Sequence, residues 1–245
     1  MTKIIGHRGA MGYRPENTMA SFLKALTLGA DGIEFDVHLT KDHVPVVIHD
    51  ERVDRTTDAI GEIKDYTFAQ LKKLNAGTWF SREYYKERIP SLEEVLNLPV
   101  KEDFIFNIEL KAGSFYYPGI EEIVLKCIER VGVKSQVVVS SFDHQSLVDI
   151  KKIDPSIKTG VLVCSKMFEP WNYVKSINAD YYHPDFRSIE PNNVKGLKTH
   201  KYGINVYTVN NESVMRAMIH AQVEGIITNY PDMGISVLGY SATRD

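Results

Sequence analysis

The chain is predicted to fold as a closed (β/α)8 barrel, an α/β architecture of the TIM barrel type, with a small insertion after its second strand. Three observations predict it. Short apolar, β-branched runs alternate with amphipathic stretches along the whole chain, eight such runs occur, and no G-x-G-x-x-G turn follows the first of them. Strands alternating with helices call for a parallel sheet, eight of them can close on themselves, and an open doubly wound sheet would carry the glycine turn.

In order, the strands are expected at 3–6, 32–39, 104–110, 136–141, 159–163, 181–183, 205–209 and 225–228. Helical periodicity fills the gaps at 17–28, 120–131, 145–153, 170–177, 192–200 and 213–221. The segment from about 50 to 88 breaks the alternation. It is polar, contains turn signals such as Ala76-Gly77, a short helical piece at 68–74 and an aromatic group, Trp79, Phe80, Tyr84 and Tyr85. A stretch this long in a compact barrel reads as a functional loop or a small subdomain. With no repeats, low-complexity tracts or linkers, residues 1–245 are expected to form a single domain carrying that insertion.

Composition sets outer bounds. Of 245 residues, 43% are hydrophobic and 25% charged, the profile of an ordinary globular protein. The 29 basic and 32 acidic residues are scattered and leave a net charge of −3, so no basic stripe offers a nucleic-acid footprint. Cys127 and Cys164 lack CxxC partners and sit in apolar sequence, which reads as two buried free thiols, with a disulfide between them left open. Strand-like sequence begins at Lys3, with no signal-type apolar region and no run long enough to cross a bilayer; the expectation is a cytoplasmic protein without a transmembrane segment. Nothing in the pattern sets an oligomeric state.

Working residues in such barrels stand at the C-terminal ends of strands. Here those ends carry Gly6-His7-Arg8-Gly9, Glu34-Phe35-Asp36 and Asn107-Ile108-Glu109-Leu110-Lys111, and a hairpin-like return at 44–48 ends in His49-Asp50. Side chains two apart share a face, so Glu34 projects with Asp36, and Asn107 with Glu109 and Lys111. Alternation with Phe35, Ile108 and Leu110 turns the charged set into the barrel. Three inward carboxylates need a countercharge, and all-oxygen ligands suit a hard divalent cation, Mg²⁺ or Ca²⁺. Each group alone has a structural reading: Glu34 and Asp36 as salt-bridge partners, Glu109 and Lys111 as a buried ion pair, His7 as a packed histidine, Arg8 as a surface anchor. Their concentration at consecutive strand ends favours a site.

These pieces, with Pro15-Glu16-Asn17-Thr18, Leu39-Thr40-Lys41-Asp42 and Val46-Val47-Ile48-His49-Asp50, closely resemble the glycerophosphodiester phosphodiesterase family. Ser140-Ser141-Phe142, Tyr207-Thr208-Val209-Asn210 and Gly225-Ile226-Ile227-Thr228-Asn229-Tyr230-Pro231 extend the likeness from about Ile4 to Tyr230, and the insertion matches the family's small subdomain. The resemblance implies a glycerophosphodiester as small-molecule substrate. It implies His7 and His49 as the catalytic pair, Glu34, Asp36 and Glu109 as ligands of one divalent cation, and Arg8 and Lys111 as phosphate-binding cations. Glu16 and Asn17 fall in a helix-opening stretch with a supporting role. Two departures stand out: Asn229 where the family usually has Asp, and Tyr207 where Trp is common.

Either histidine can serve as acid or base, because an ordinary imidazole titrates near neutrality. The attacking group is water or the substrate's own 2-hydroxyl, the latter passing through a cyclic phosphate. Phe142 and Tyr207 read equally as an apolar substrate wall or as barrel packing. His38 reads as a site member or a strand cap, while His144, His183, His200 and His220 read as surface or packing residues. Rival functions are a lysophospholipase D or phosphatidylinositol phospholipase C-like enzyme, with the insertion's aromatics as entry surface, and a non-catalytic phosphate-binding barrel.

Overall fold

A computed structural model describes residues 1–111 and 115–242. In chain order its elements are β1 (Lys3–His7), α1 (Met19–Thr27), β2 (Gly32–Leu39), β3 (Pro45–Val47), α2 (Phe68–Leu71), α3 (Leu92–Leu96), β4 (Ile105–Leu110), α4 (Ile120–Val131) and β5 (Val137–Ser141). There follow α5 (His144–Ile153), β6 (Lys158–Val163), α6 (Pro170–Ser176), β7 (Tyr181–Pro184), α7 (Pro191–Thr199), β8 (Gly203–Val206), α8 (Glu212–His220), β9 (Gly225–Thr228) and α9 (Pro231–Ala242). Eight strands pair in parallel and close, β1 lying between β9 and β2. The ninth, β3, runs antiparallel to the end of β2, with Val37 opposite Val47 and Leu39 opposite Pro45. The chain is a TIM barrel.

The alternation in β2 shows how the sequence sorts itself. Every residue of Gly32–Leu39 is buried. Phe35 meets Phe22 of α1 edge-on at 5.7 Å and Phe106 of β4 at 6.5 Å, so the apolar set faces the helical layer. Glu34, Asp36 and His38 therefore turn to the other face, into the barrel. A second apolar cluster packs the later half, joining Val161, Tyr182, Ile204 and Ile226 of the barrel to Val174, Leu197 and Met215 of α6, α7 and α8. Side-chain caps start several helices where the strand-end loops stop: Thr18 accepts from Ser21, Asp143 from Gln145, and Ser91 with Glu94 closes a capping box.

The segment between β3 and α3 has its own small core, in which Val53, Ile63, Leu71, Ala76 and Ile89 pack with Val46 and Ile48. It follows the C-terminal end of β2 and returns the chain through the Val46–Ser91 bridge.

Some expected boundaries move. The first helix begins at Met19 because Asn17 adopts φ 55°, a left-handed turn in which its side chain bonds elsewhere. The strand expected at 205–209 ends at Val206, and Tyr207 makes only an isolated bridge to Asp185. The helical piece in the insertion is shorter, Phe68–Leu71, and α9 adds a helix the periodicity did not mark. Both cysteines are free, but Cys164 is exposed rather than buried, since it follows the last residue of β6 and leaves the sheet's alternation. No helix among the described residues is long and apolar enough to cross a membrane.

Candidate active site

The site is assembled from three adjacent strand ends. The register pairs His7 with Glu34 and Asp36 with Glu109 across β1, β2 and β4. The turn after β1 aims the first of these. Arg8 and Gly9 both take positive φ, 49° and 83°. Gly9 is required there, because a Cβ on it would sit 2.5 Å from Ser21 Oγ and 2.6 Å from the Ser21 carbonyl carbon. The turn leaves the Arg8 backbone N–H donating to Glu34 Oε2 at 3.0 Å, and the Arg8 side chain folded back over the acids.

Glu34, Asp36 and Glu109 each offer an oxygen, and these atoms lie within 4.8 Å of one another. Two cations flank them. Arg8 Nε is 3.4 Å from Asp36 Oδ2, and Lys111 Nζ donates to Glu109 Oε1 at 2.7 Å and stands 3.4 Å from Asp36 Oδ1. Asn17 Nδ2 donates to Asp36 Oδ2 at 2.8 Å, which is what its left-handed turn accomplishes. Glu34 Oε1 and Asp36 Oδ1 are buried without a hydrogen bond, as are Arg8 Nε and Asn107 Oδ1. Buried acceptors left unmade are costly, so a group that engages them stabilises the site.

The charges are unbalanced in a directed way. Burial, then repulsion from Asp36 and Glu109, raises Glu34 well above the ordinary carboxylate range. Burial and Asp36 push Glu109 up to about 7. Burial also opposes the charge on Asp36, but Arg8 and Lys111 outweigh it and hold that carboxyl low. A carboxyl raised in the folded chain contributes stability below its unfolded value of 4.5, and that contribution is lost as pH climbs through about 7 for Glu109. Asp36 changes nothing across that window, being ionised throughout it in both states. The Glu109 contribution is therefore lost between about pH 5 and pH 8, while His7, His38 and His183, buried with neutral rings, contribute the opposite slope below about pH 6.5. Glu109→Gln is accordingly expected to remove only the falling component, so that its stability falls less, or rises more, with pH than that of the unaltered chain; melting curves of the two proteins from about pH 5 to pH 8 check it, and parallel profiles contradict it.

The two histidines stand on opposite flanks. His7 Nδ1 donates to Asn229 Oδ1 at 2.7 Å, and its Nε2 lies 3.9 Å from Glu34 Oε2. Burial, reinforced by Arg8, lowers His7 to about 4. His49 donates Nδ1–H to the Asp50 carboxylate at 2.6 Å, and its Nε2 accepts from Lys111 Nζ at 3.1 Å. His38 is no member of the reacting set. It accepts from the Tyr117 hydroxyl at Nδ1 and donates from Nε2 to the His49 carbonyl, both at 2.9 Å, so it pins the backbone of His49. Burial lowers it to about 4, matching a neutral ring.

Phe142 and Tyr207 come together edge-on at 6.1 Å above β5 and β8, with the Tyr207 hydroxyl donating to the Val163 carbonyl at 2.8 Å. The other five histidines lie elsewhere: His144 bonds Tyr173 and the Leu162 carbonyl, His183 is fully buried beside Asn205, His200 stacks on Trp171, and His43 and His220 are exposed. Two partners escape a reading of the sequence. Asn229 bonds His7 across 222 positions of chain, and Arg55 bonds Asp50 from within the insertion. The His49-Asp50 neighbourhood was a signal for Asp50; nothing in the periodicity marks Arg55.

Known proteins resemble the chain over nearly its whole length. Residues 7–233 match the profile of the glycerophosphoryl diester phosphodiesterase family. A glycerophosphodiester phosphodiesterase of Caldanaerobacter subterraneus is 45% identical over 237 residues, covering 97% of this chain and 98% of its own. One from Bacillus altitudinis is 43% identical over 240 residues, covering 97% and 98%. Among solved structures, an Oleispira antarctica phosphodiesterase in complex with the product sn-glycerol-3-phosphate superposes with a TM-score of 0.87 at 29% identity, covering 98% of this chain and 97% of that one.

Proposed function

The chain belongs to the glycerophosphoryl diester phosphodiesterase family and is a phosphodiesterase, and from that premise we propose that it hydrolyses glycerophosphodiesters, such as glycerophosphocholine or glycerophosphoethanolamine, to an alcohol and sn-glycerol 3-phosphate. In this reading Glu34, Asp36 and Glu109 hold one divalent cation, Arg8 and Lys111 bind the phosphate, and His7 and His49 move protons. Residues 1–245 act as one catalytic unit, with about 50–88 as its inserted subdomain.

The observation that carries the reading is the pair of buried, unbonded oxygens, Glu34 Oε1 and Asp36 Oδ1, beside Glu109 and between two imidazoles. An all-carboxylate set fits a hard cation such as Mg²⁺ or Ca²⁺ better than zinc. When bound, such an ion supplies Lewis-acid stabilisation of charge on the phosphoryl oxygens. Arg8 and Lys111 add fixed positive charge at the same place, already oriented by Glu16, Asp36 and Glu109.

The proton roles divide by what each ring's Nδ1 touches. His7 rests against a neutral amide and is held uncharged by burial, so its Nε2 is available to take a proton from the attacking hydroxyl or water. His49 donates Nδ1–H to a carboxylate, so that, once the phosphate draws Lys111 away from Nε2, this nitrogen is the one oriented to deliver a proton to the leaving alkoxide. Phe142 and Tyr207 supply an apolar wall for the glycerol or its alcohol substituent.

One observation favours a second substrate class. Phe115, Phe142 and Phe168 follow the neighbouring strands β4, β5 and β6 and are 102%, 48% and 90% exposed, with Trp79, Phe80 and Tyr85 exposed in the insertion at the same end. Aromatics around a mouth suit an acyl-bearing diester presented at a lipid surface, as a lysophospholipase D or phosphatidylinositol phospholipase C-like enzyme would meet. A single assay separates the readings. Glycerophosphocholine is expected to yield glycerol 3-phosphate and choline, faster than lysophosphatidylcholine vesicles release choline. Release of phosphocholine would contradict the proposed cleavage site, and a preference for vesicles would transfer the proposal to the lipid class.

A further inference from the structure

Arg55 sits in the insertion, five residues past Asp50, and its guanidinium spans two acids. Nη1 and Nη2 donate to Glu16 Oε2 and Oε1 at 2.9 and 2.8 Å, while Nε donates to Asp50 Oδ2 at 2.7 Å and Nη2 to Asp50 Oδ1 at 3.1 Å. Glu16 is a firm anchor: its side chain is 4% exposed and its Oε1 also accepts from Arg8 Nη1 at 2.7 Å. Asp50 is less enclosed, 30% exposed, and its Oδ1 is the atom that receives His49 Nδ1–H. A carboxylate terminal torsion is broad and weakly preferred, so Asp50 alone would not keep that oxygen in the ring plane. A forked guanidinium gripping both Asp50 oxygens does.

We propose that Arg55 is a positioning residue of the active site: it ties Asp50 to the buried Glu16, and through Asp50 it fixes the orientation and tautomer of the His49 ring. The insertion thereby contributes to the barrel's chemistry without touching substrate. A role in stability alone fits poorly, because Arg55 is 44% exposed and exposed ion pairs contribute little to folding. Lysine is a poor substitute, since one ammonium cannot serve four acceptor oxygens on two acids in a fixed fork. The proposal rests on His49 acting in the hydrolysis described above.

The test is steady-state kinetics of glycerophosphocholine hydrolysis on the full chain. Partners that orient a reacting or ligating histidine from behind are worth about 10–100-fold. Arg55→Ala is expected to lower kcat by that factor, with KM changed less than about threefold, Arg55→Lys to recover little, and millimolar methylguanidine to restore part of the Arg55→Ala kcat. Because both act through one link, Arg55→Ala combined with Asp50→Asn should be no slower than the worse single variant. Unchanged kcat, additive losses, or an effect confined to KM would each overturn the proposal. If Arg55→Ala does not fold, Asp50→Asn reads the same link, and a wild-type kcat there overturns it equally. Failure of the underlying reading looks different: the unaltered chain, or His49→Ala, would then give the anomalous result.

Discussion

Alanine at His7 or at His49 lowers kcat by about 10²–10⁴-fold, the usual worth of a positioned general acid or base, while both proteins stay folded. Neither ring is a core support. His7 is anchored by one hydrogen bond to Asn229, and His49 leaves behind an Asp50–Arg55 pair that is complete without it. The two losses can be told apart by the leaving group. Choline or ethanolamine departs as a strongly basic alkoxide and needs a proton; a p-nitrophenolate leaving group does not. A glycerophospho-p-nitrophenyl ester should therefore be turned over by His49→Ala at nearly the wild-type rate and remain poor for His7→Ala. The opposite pattern would exchange the roles of the two histidines, and near-wild-type turnover of the natural diester by either variant would remove the pair from the mechanism.

Chelation has the other large effect. EDTA is expected to reduce turnover by more than about 10³-fold, corresponding to several kcal/mol of lost charge stabilisation, and added Mg²⁺ or Ca²⁺ to restore it. The same ion should stabilise the fold, because Glu34, Asp36 and Glu109 repel one another without it. At about 100 times Kd the gain is about 2.7 kcal/mol, or about 5–11 °C in Tm for a chain of this size. Asp36→Asn should abolish both the activity and the metal-dependent shift, since Asp36 is the carboxylate that Arg8 and Lys111 keep ionised in the free protein. Turnover that survives the chelator would end the metal role, whatever the shift in Tm.

What a sequence shows of such a site depends on where the side chain is attached. Within a strand the period of two assigns each residue a face, so Glu-Phe-Asp in β2 and Asn-Ile-Glu-Leu-Lys at the end of β4 were legible as one inward cluster before any coordinates, and the register then set Asp36 beside Glu109. His7 and His49 were legible because each ends a strand or its antiparallel return. Loops carry no such period. Asn17 reaches Asp36 only through a left-handed backbone, which a helical reading of 17–28 passes over. Arg55 and Asn229 reach their partners across 39 and 222 residues of chain, through an insertion and the end of β9 whose geometry no local pattern encodes. Cys164 was misplaced for a related reason: its apolar neighbours belong to the strand expected at 159–163, which does end at Val163, and the thiol follows in the loop, where strand burial no longer applies.

The three-carboxylate cluster and its proposed cation are the centre of the account, and diffraction from crystals grown with Mn²⁺ tests them most directly, because Mn²⁺ takes the same oxygen ligands as Mg²⁺ or Ca²⁺ and scatters anomalously. One anomalous peak is expected among the three strand ends, within about 2.5 Å of an oxygen from each of Glu34, Asp36 and Glu109, with Glu34 Oε1 and Asp36 Oδ1 no longer unbonded. A crystal of the active enzyme with no peak there, or with the ion held by other side chains, would contradict it.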